Sequence, residues 1–114
     1  MNKIVINAET IIASGVFTSK PVLVPCNCSN FGLQWVITDD GTGKFEVETS
    51  GNGGSTFIED TTDIATAQTK TTGPDGAGNN STVFSPVPCE AVRIKCTETG
   101  TADSIVVTAI LTIT

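Results

Sequence analysis

Apolar and polar side chains alternate along several short stretches of this sequence, and this alternation constrains the fold more than any other feature. In residues 31–38 it places Phe31, Leu33, Trp35 and Ile37 on one face. A period of two matches a β-strand with one buried face, whereas a helix repeats its apolar residues every three to four positions. Because no stretch shows the helical spacing, we predict an all-β fold without helices.

The same alternation recurs in residues 44–48, 91–96 and 105–114, between segments rich in Gly, Asn and Asp. The chain contains 19 Thr, 11 Val and 11 Ile, whose β-branched side chains suit a pleated sheet. We predict one domain over residues 1–114, a two-sheet β-sandwich or jelly roll of about seven to eight strands. Its core is expected to contain Phe31, Leu33, Trp35, Ile37, Phe45, Val47, Val92, Ile94, Ile105, Val107 and Leu111.

Two segments are not needed to close this predicted core. Residues 1–9 are a candidate extended arm, with a short strand expected at residues 4–6. Residues 60–80 alternate weakly and end in a run of Gly, Asp and Asn, so we expect a long loop there. Both segments are candidate contact elements.

The charge pattern excludes several kinds of partner. The net charge is −6, and the six basic residues are scattered singly, so no patch for nucleic acid is expected.

No run approaches the roughly 20 apolar residues of a membrane span. Glu9 and the polar alternation before it argue against a signal peptide. We therefore expect synthesis in the cytoplasm without cleavage, or export by a route other than a signal peptide, and no membrane partner.

The side chains that usually carry catalysis are scarce. The sequence has no His and no Tyr, which removes the usual general base and the usual nitrogen ligand of metals. Glu46 and Glu48 on one strand face, and Asp39 in a turn, are expected to be solvated charges. The loop aspartates fit no calcium-binding spacing. We predict a protein that is not an enzyme and needs no cofactor or metal.

The four cysteines fall into two pairs with different constraints. Cys26 and Cys28 are too close for an unstrained bridge, and an extended chain separates Cys89 from Cys96 by roughly 23 Å. Any disulfide should therefore join Cys28 or Cys26 to Cys89, leaving Cys96 in the core. Unbridged thiols and a four-cysteine zinc site are the alternatives.

Trp35 could be interpreted as a platform for stacking a sugar ring. Its register with Phe31, Leu33 and Ile37 predicts a core residue instead. With one Trp and no Tyr, the chain offers few exposed aromatics for carbohydrate binding.

From residue 31 onward the order of motifs is distinctive. It runs LQWVIT at 33–38, GKFEVETS at 43–50, GNGG at 51–54, TFI at 56–58, AVRIKCTETG at 91–100 and a closing strand at 105–114. This order resembles small β-sandwich virion structural proteins of tailed bacteriophages, of the capsid decoration or head-accessory type. The cysteine-rich segment 25–29 departs from that pattern.

The resemblance implies a location in the virion and no catalytic residues. It implies a homo-oligomer, a trimer in this group, that binds a major capsid protein or another shell protein in many symmetric copies. The competing interpretations are a carbohydrate- or surface-binding module of a tail fibre or adhesin, secreted or at the cell surface, and a filament or surface-layer subunit.

Overall fold

The computed structural model describes residues 1–86 and 88–114, and of residues 60–62 it describes the backbone alone. Within this part of the chain the secondary structure is entirely β, and no helix could span a membrane. The strands are β1 (Asn2–Ile11), β2 (Val16–Thr18), β3 (Val22–Leu23), β4 (Phe31–Thr38), β5 (Gly43–Ser50), β6 (Ile58–Gln68), β7 (Asn79–Phe84), β8 (Ala91–Glu98) and β9 (Ile105–Ile113).

The strands form two antiparallel sheets in a jelly-roll order. One sheet runs β1-β9-β4-β7 and the other β2-β8-β5-β6, with β3 also paired to β8. β2 and β3 follow each other along β8 and act as one strand, interrupted at Lys20 and Pro21 because proline cannot donate to a ladder. Apart from the β5–β6 hairpin and this interruption, each connection crosses from one sheet to the other. The prediction of an all-β sandwich is confirmed, and the strand order is that of a jelly roll.

One layer of apolar side chains fills the space between the sheets. Trp35 of β4 lies against Phe45 of β5, with ring centroids 4.8 Å apart and planes inclined by 34°. The structure buries every residue of the predicted core. Cys96, which was expected in the core, and Ala109 and Ile113, which continue the inward register of β9, are also buried. The buried side chains that the sequence did not indicate are Ile6, Ile11, Val22, Phe84 and Ala91.

Residues 1–9 do not form a separate arm, whereas the strand expected at residues 4–6 is confirmed. These residues belong to β1, which pairs with β9 along its length, and Ile6 is fully buried. Register shifts between Ile4 and Ile6 and between Ile6 and Glu9 break the simple alternation. A β-bulge inserts an extra residue into a strand and so shifts the alternation of inward and outward side chains. A strict period of two therefore misassigns the inward residues of β1.

The predicted loop at residues 60–80 is also wrong over most of its length. Residues 58–68 form β6, the partner of β5, and β7 begins at Asn79. β6 pairs with irregular register and lies at a sheet edge, which explains its weak alternation. The true loop covers residues 69–78. It ends at Gly78, where φ is +82° and an added Cβ would lie 2.4 Å from the Ile37 carbonyl oxygen.

We predict that Trp35→Ala lowers the free energy of unfolding by about 3–5 kcal/mol, the usual cost of removing a large aromatic side chain from a core. Trp35→Phe should cost less, because the indole N–H finds no hydrogen-bond partner among the described residues. Chemical denaturation measures both, with Val36→Ala on the solvent side of β4 as the control. Equal stability of Trp35→Ala and the control would contradict this account.

Candidate functional site

The outer face of the four-stranded sheet is the most unusual surface of the molecule. Cross-strand pairing determines which residues share it, since Gln34 lies opposite Ile110 on one side and Ser81 on the other. None of the residues of this face is charged. They are Asn2, Ile4, Thr10, Gly32, Gln34, Val36, Thr38, Asn79, Ser81, Val83, Val106, Thr108, Ile110 and Thr112.

The sheet owes this property to the composition of its strands. Its four strands carry two charged residues, Lys3 and Glu9, and both lie on the other face, opposite Leu111 and Val107. The uncharged face therefore consists of Thr, Asn, Ser, Gln and aliphatic side chains. We call it the uncharged face.

Several aliphatic side chains of the uncharged face reach solvent. Ile4 is 57% exposed, Val36 37% and Val83 85%. Gly32 leaves a shallow depression that is bordered by Gln34 and Thr112, among others. Such a surface can bury area against another protein without stripping water from ions.

The loop of residues 69–78 raises a rim at one side of the uncharged face. Asp75 stands there with Gln34, Asn79 and Ser81 around a second shallow pocket. The Asp75 carboxylate accepts hydrogen bonds from the Ala77 N–H at 3.1 Å and from the Asn79 amide at 3.2 Å. These bonds, led by that from Ala77, lower the pKa of Asp75.

The outer face of the other sheet is charged and largely paired within itself. Its basic side chains lie beside acidic ones on β5 and β6. The ion pairs are Lys44–Glu46 at 3.8 Å, Lys44–Asp63 at 3.6 Å, Lys95–Glu59 at 3.9 Å and Arg93–Glu48 at 2.7 Å. The Arg93 guanidinium also lies 4.2 Å from the centre of the Phe57 ring.

Two of the three carboxylates considered as catalytic groups, Glu46 and Glu48, lie in this network. Glu48 accepts from Arg93, and Glu46 shares a hydrogen bond with Glu59. That bond and the burial of Glu46 raise the pKa of its carboxyl group, while the same bond lowers the pKa of Glu59. Asp39 lies apart from them, where it accepts from the Ser104 hydroxyl at 3.0 Å.

Glu98 has a structural role that the sequence analysis missed. Its buried carboxylate accepts from the backbone N–H groups of Ser14, Thr42, Gly100 and Thr101, at distances between 2.7 and 3.0 Å. Glu98 thereby ties together three turns. The sequence does contain a signal for this role, because the alternation of β8 places the charged Glu98 at an inward position. A charge at an inward position needs hydrogen-bond donors.

The ionisation of Glu98 is coupled to folding. Burial alone would raise its pKa, but the four backbone donors outweigh burial and lower it to about 2 from an ordinary 4.5. A carboxyl group with a lowered pKa stabilises the fold above its unfolded pKa, and this contribution is lost as the pH falls towards the folded value.

We predict that Glu98→Gln lowers the free energy of unfolding at pH 7 by about 3 kcal/mol, since an amide cannot accept all four charge-assisted bonds. The variant should also lose much of the stability decrease that the wild type shows between pH 4.5 and about 2. Urea denaturation across that range tests both effects, with the exposed Glu90→Gln as the control. Identical pH profiles for wild type and Glu98→Gln would refute the assignment.

Three of the four cysteines gather at one end of the sandwich. Cys26, Cys28 and Cys89 border one shallow pocket there. Cys96 lies in the core opposite Phe45, and burial raises its pKa to about 12. A zinc site built from all four cysteines does not fit this separation. The pairing of Cys28 or Cys26 with Cys89 stays a prediction.

We expect mild oxidation to join Cys89 to Cys28 or Cys26 and to leave Cys96 reduced, because the buried thiol does not ionise at neutral pH. Mass mapping of the oxidised protein identifies the pair. Melting with and without reductant should show that the fold survives without a bridge. A Cys26–Cys28 or Cys89–Cys96 disulfide, or unfolding on reduction, would contradict this prediction.

No protein-family model matches this sequence, and no curated protein matches it significantly. Solved structures do share its fold. The VP2 subviral particle of infectious bursal disease virus superposes with a TM-score of 0.68 at 13% identity, over 99% of this chain and 31% of the VP2 chain. The enzymatically active domain of tailspike protein 4 from bacteriophage CBA120 gives 0.57 at 13% identity, over 92% of this chain and 15% of that one.

A third structure is similar over most of its own length. PliG, a periplasmic inhibitor of g-type lysozyme from Aeromonas hydrophila, gives a TM-score of 0.50 at 8% identity, over 100% of this chain and 85% of that one. At these identities the likeness shows the fold alone. The chain spans about a third of VP2 and less of the tailspike domain. It has a β-sandwich fold that also occurs in a virus particle and in a phage tailspike.

Proposed function

We propose that this chain is a non-enzymatic virion structural protein, a capsid decoration or head-accessory subunit of a tailed bacteriophage. It binds the shell in many symmetric copies through the uncharged face. The observation that carries the proposal is this face itself, a sheet surface without charge on a chain of net charge −6.

Electrostatics favours the uncharged face over the charged one as the contact surface. Docking through the charged face would strip water from ion pairs, and the Coulomb attraction seldom repays that cost. Docking through Thr, Ser and Asn side chains costs less, since their hydroxyl and amide groups can exchange water for partners across the contact. The exposed Val36 and Val83 add apolar area to be buried.

The fold supports the proposal. The jelly roll is an architecture of viral capsid and lectin domains. The likeness to VP2 and the tailspike domain covers nearly all of this chain. The threefold cluster implied by the sequence resemblance remains part of the proposal, as do assembly in a host cytoplasm and the shell protein as partner.

The proposal that this protein is not an enzyme rests on its side-chain chemistry. The sequence has no His and no Tyr. Glu46 and Glu48 are engaged in the ion pairs of the charged face, and Glu98 is saturated by backbone donors. These carboxylates support structure better than proton transfer.

A carbohydrate- or surface-binding module is the second candidate, on a tail fibre, an adhesin or a surface layer. The observation that favours it is the rim pocket, where Gln34, Asp75, Asn79 and Ser81 offer amide, carboxylate and hydroxyl groups suited to sugar hydroxyls. Against it stands the burial of Trp35, which removes the main stacking platform. Glycan binding that is lost in Asp75→Ala would favour this candidate.

We predict that Val36→Lys abolishes incorporation into particles of the virus that encodes the chain, because a charge in the middle of the uncharged face must be desolvated on docking. The control is Val16→Lys, an equally simple change at a 56% exposed valine of the other sheet. Particles sedimented with each purified variant measure the bound protein, and circular dichroism verifies folding. Absence of the wild-type chain from particles, or equal binding by Val36→Lys, would overturn the proposal.

A further inference from the structure

Three of the four sheet edges in the described part of the chain are protected against pairing with another strand. β1 is interrupted by two register shifts and carries Lys3 and Glu9. β6 pairs irregularly and carries Glu59 and Asp63. β2 and β3 are only three and two residues long. Bulges, charges and shortness are the usual devices that keep an edge strand from recruiting a neighbour.

The fourth edge, β7, lacks these devices. Its six residues, Asn79–Phe84, contain no charge and no proline, and they pair with β4 in unbroken register. Val83 is 85% exposed, the largest exposure among the large apolar side chains described. β7 is therefore the edge most open to pairing.

The backbone of β7 offers a defined set of groups on its open side. The Gly78 carbonyl accepts from the Ile37 N–H, whereas the Ser81 N–H donates to the Asn80 side-chain oxygen at 2.9 Å. Because backbone groups alternate along a strand, those of Asn79, Ser81 and Val83 then face away from β4. The Asn80 side chain covers one donor of this set, and its amide also donates to the Gln68 side chain at 3.3 Å, so pairing at Ser81 must displace the Asn80 oxygen.

We infer that β7 pairs antiparallel with β7 of a second copy of this chain, about a two-fold axis at Ser81. Asn79 of each copy then lies opposite Val83 of the other, and the two four-stranded sheets become one sheet of eight strands. The uncharged faces of the two copies join into one surface. The contact uses the edge of the sheet and goes beyond the proposed shell binding, which uses its face.

The length of the open β7 edge and the charge of the chain both indicate that a second copy pairs with this edge. Pro86 and Pro88 follow β7, and the loop of residues 69–78 precedes it, so the open edge accommodates about six residues, the length of β7 itself. Two copies with a net charge of −6 each repel one another unless the contact avoids charged surface. The four strands of this sheet carry only Lys3 and Glu9, both on β1 at the opposite edge.

Sedimentation equilibrium of the full chain tests the inference. Edge pairing of six residues buries a small area, so we expect a weak dimer that forms at high protein concentration. Val83→Lys should weaken the dimer about tenfold or more, because lysine is a common protector of edge strands. Val16→Lys, at the edge of the other sheet, should leave dimerisation unchanged.

Cross-linking tests the position of the two-fold axis between the paired β7 strands. In the proposed pairing Ser81 lies opposite its own copy, where Cα atoms about 5.5 Å apart suit a disulfide. Oxidised Ser81→Cys should give a covalent dimer linked at position 81 by peptide mapping, and Thr18→Cys on β2 should not. A protein that stays monomeric, or a dimer that neither variant affects, overturns the inference. A trimer insensitive to Val83→Lys overturns it too, while leaving the proposed function intact.

Discussion

Two sheets close over one layer of apolar side chains, and this packing determines where every other group of the molecule can lie. Trp35 and Phe45 meet at its centre. Once alternate residues of each strand are committed to the layer, the residues between them must face solvent. The chemistry of the outer faces is therefore free to vary without cost to the core, and here the two faces differ sharply.

The molecule therefore has one outer face whose charged side chains pair with one another and a second outer face that carries no charge. On the charged face, acidic and basic side chains of β5, β6 and β8 satisfy one another, and Arg93 also covers Phe57. On the uncharged face some polar groups bond within the chain, as Thr112 does with Asn2 and Thr108 with the Ala8 N–H, and aliphatic side chains are exposed. A surface of this second kind can form a contact without desolvating ions, because it carries no charged side chain.

The jelly-roll connections place the turns where they can be fixed together. Glu98 lies at the end of β8, near the turns that follow β1, β4 and β8. One carboxylate with four backbone donors there replaces what would otherwise be separate side-chain contacts in each turn. The opposite end of the sandwich has no comparable group among the described residues and instead carries Cys26, Cys28 and Cys89.

The sequence alone determined the fold class and the centre of the core, because a period of two reports burial locally, residue by residue. It failed at β1, where bulges shift the register, and at β6, where irregular pairing weakens the alternation. The uncharged face could not be predicted at all: its strands lie far apart in the chain, and only their pairing brings Ile4, Gln34 and Ser81 into one row. The order of strands in a sheet depends on long-range contacts that no local pattern encodes. Tertiary structure therefore decided which residues share the uncharged face and which edge strand is left without a bulge or a charge.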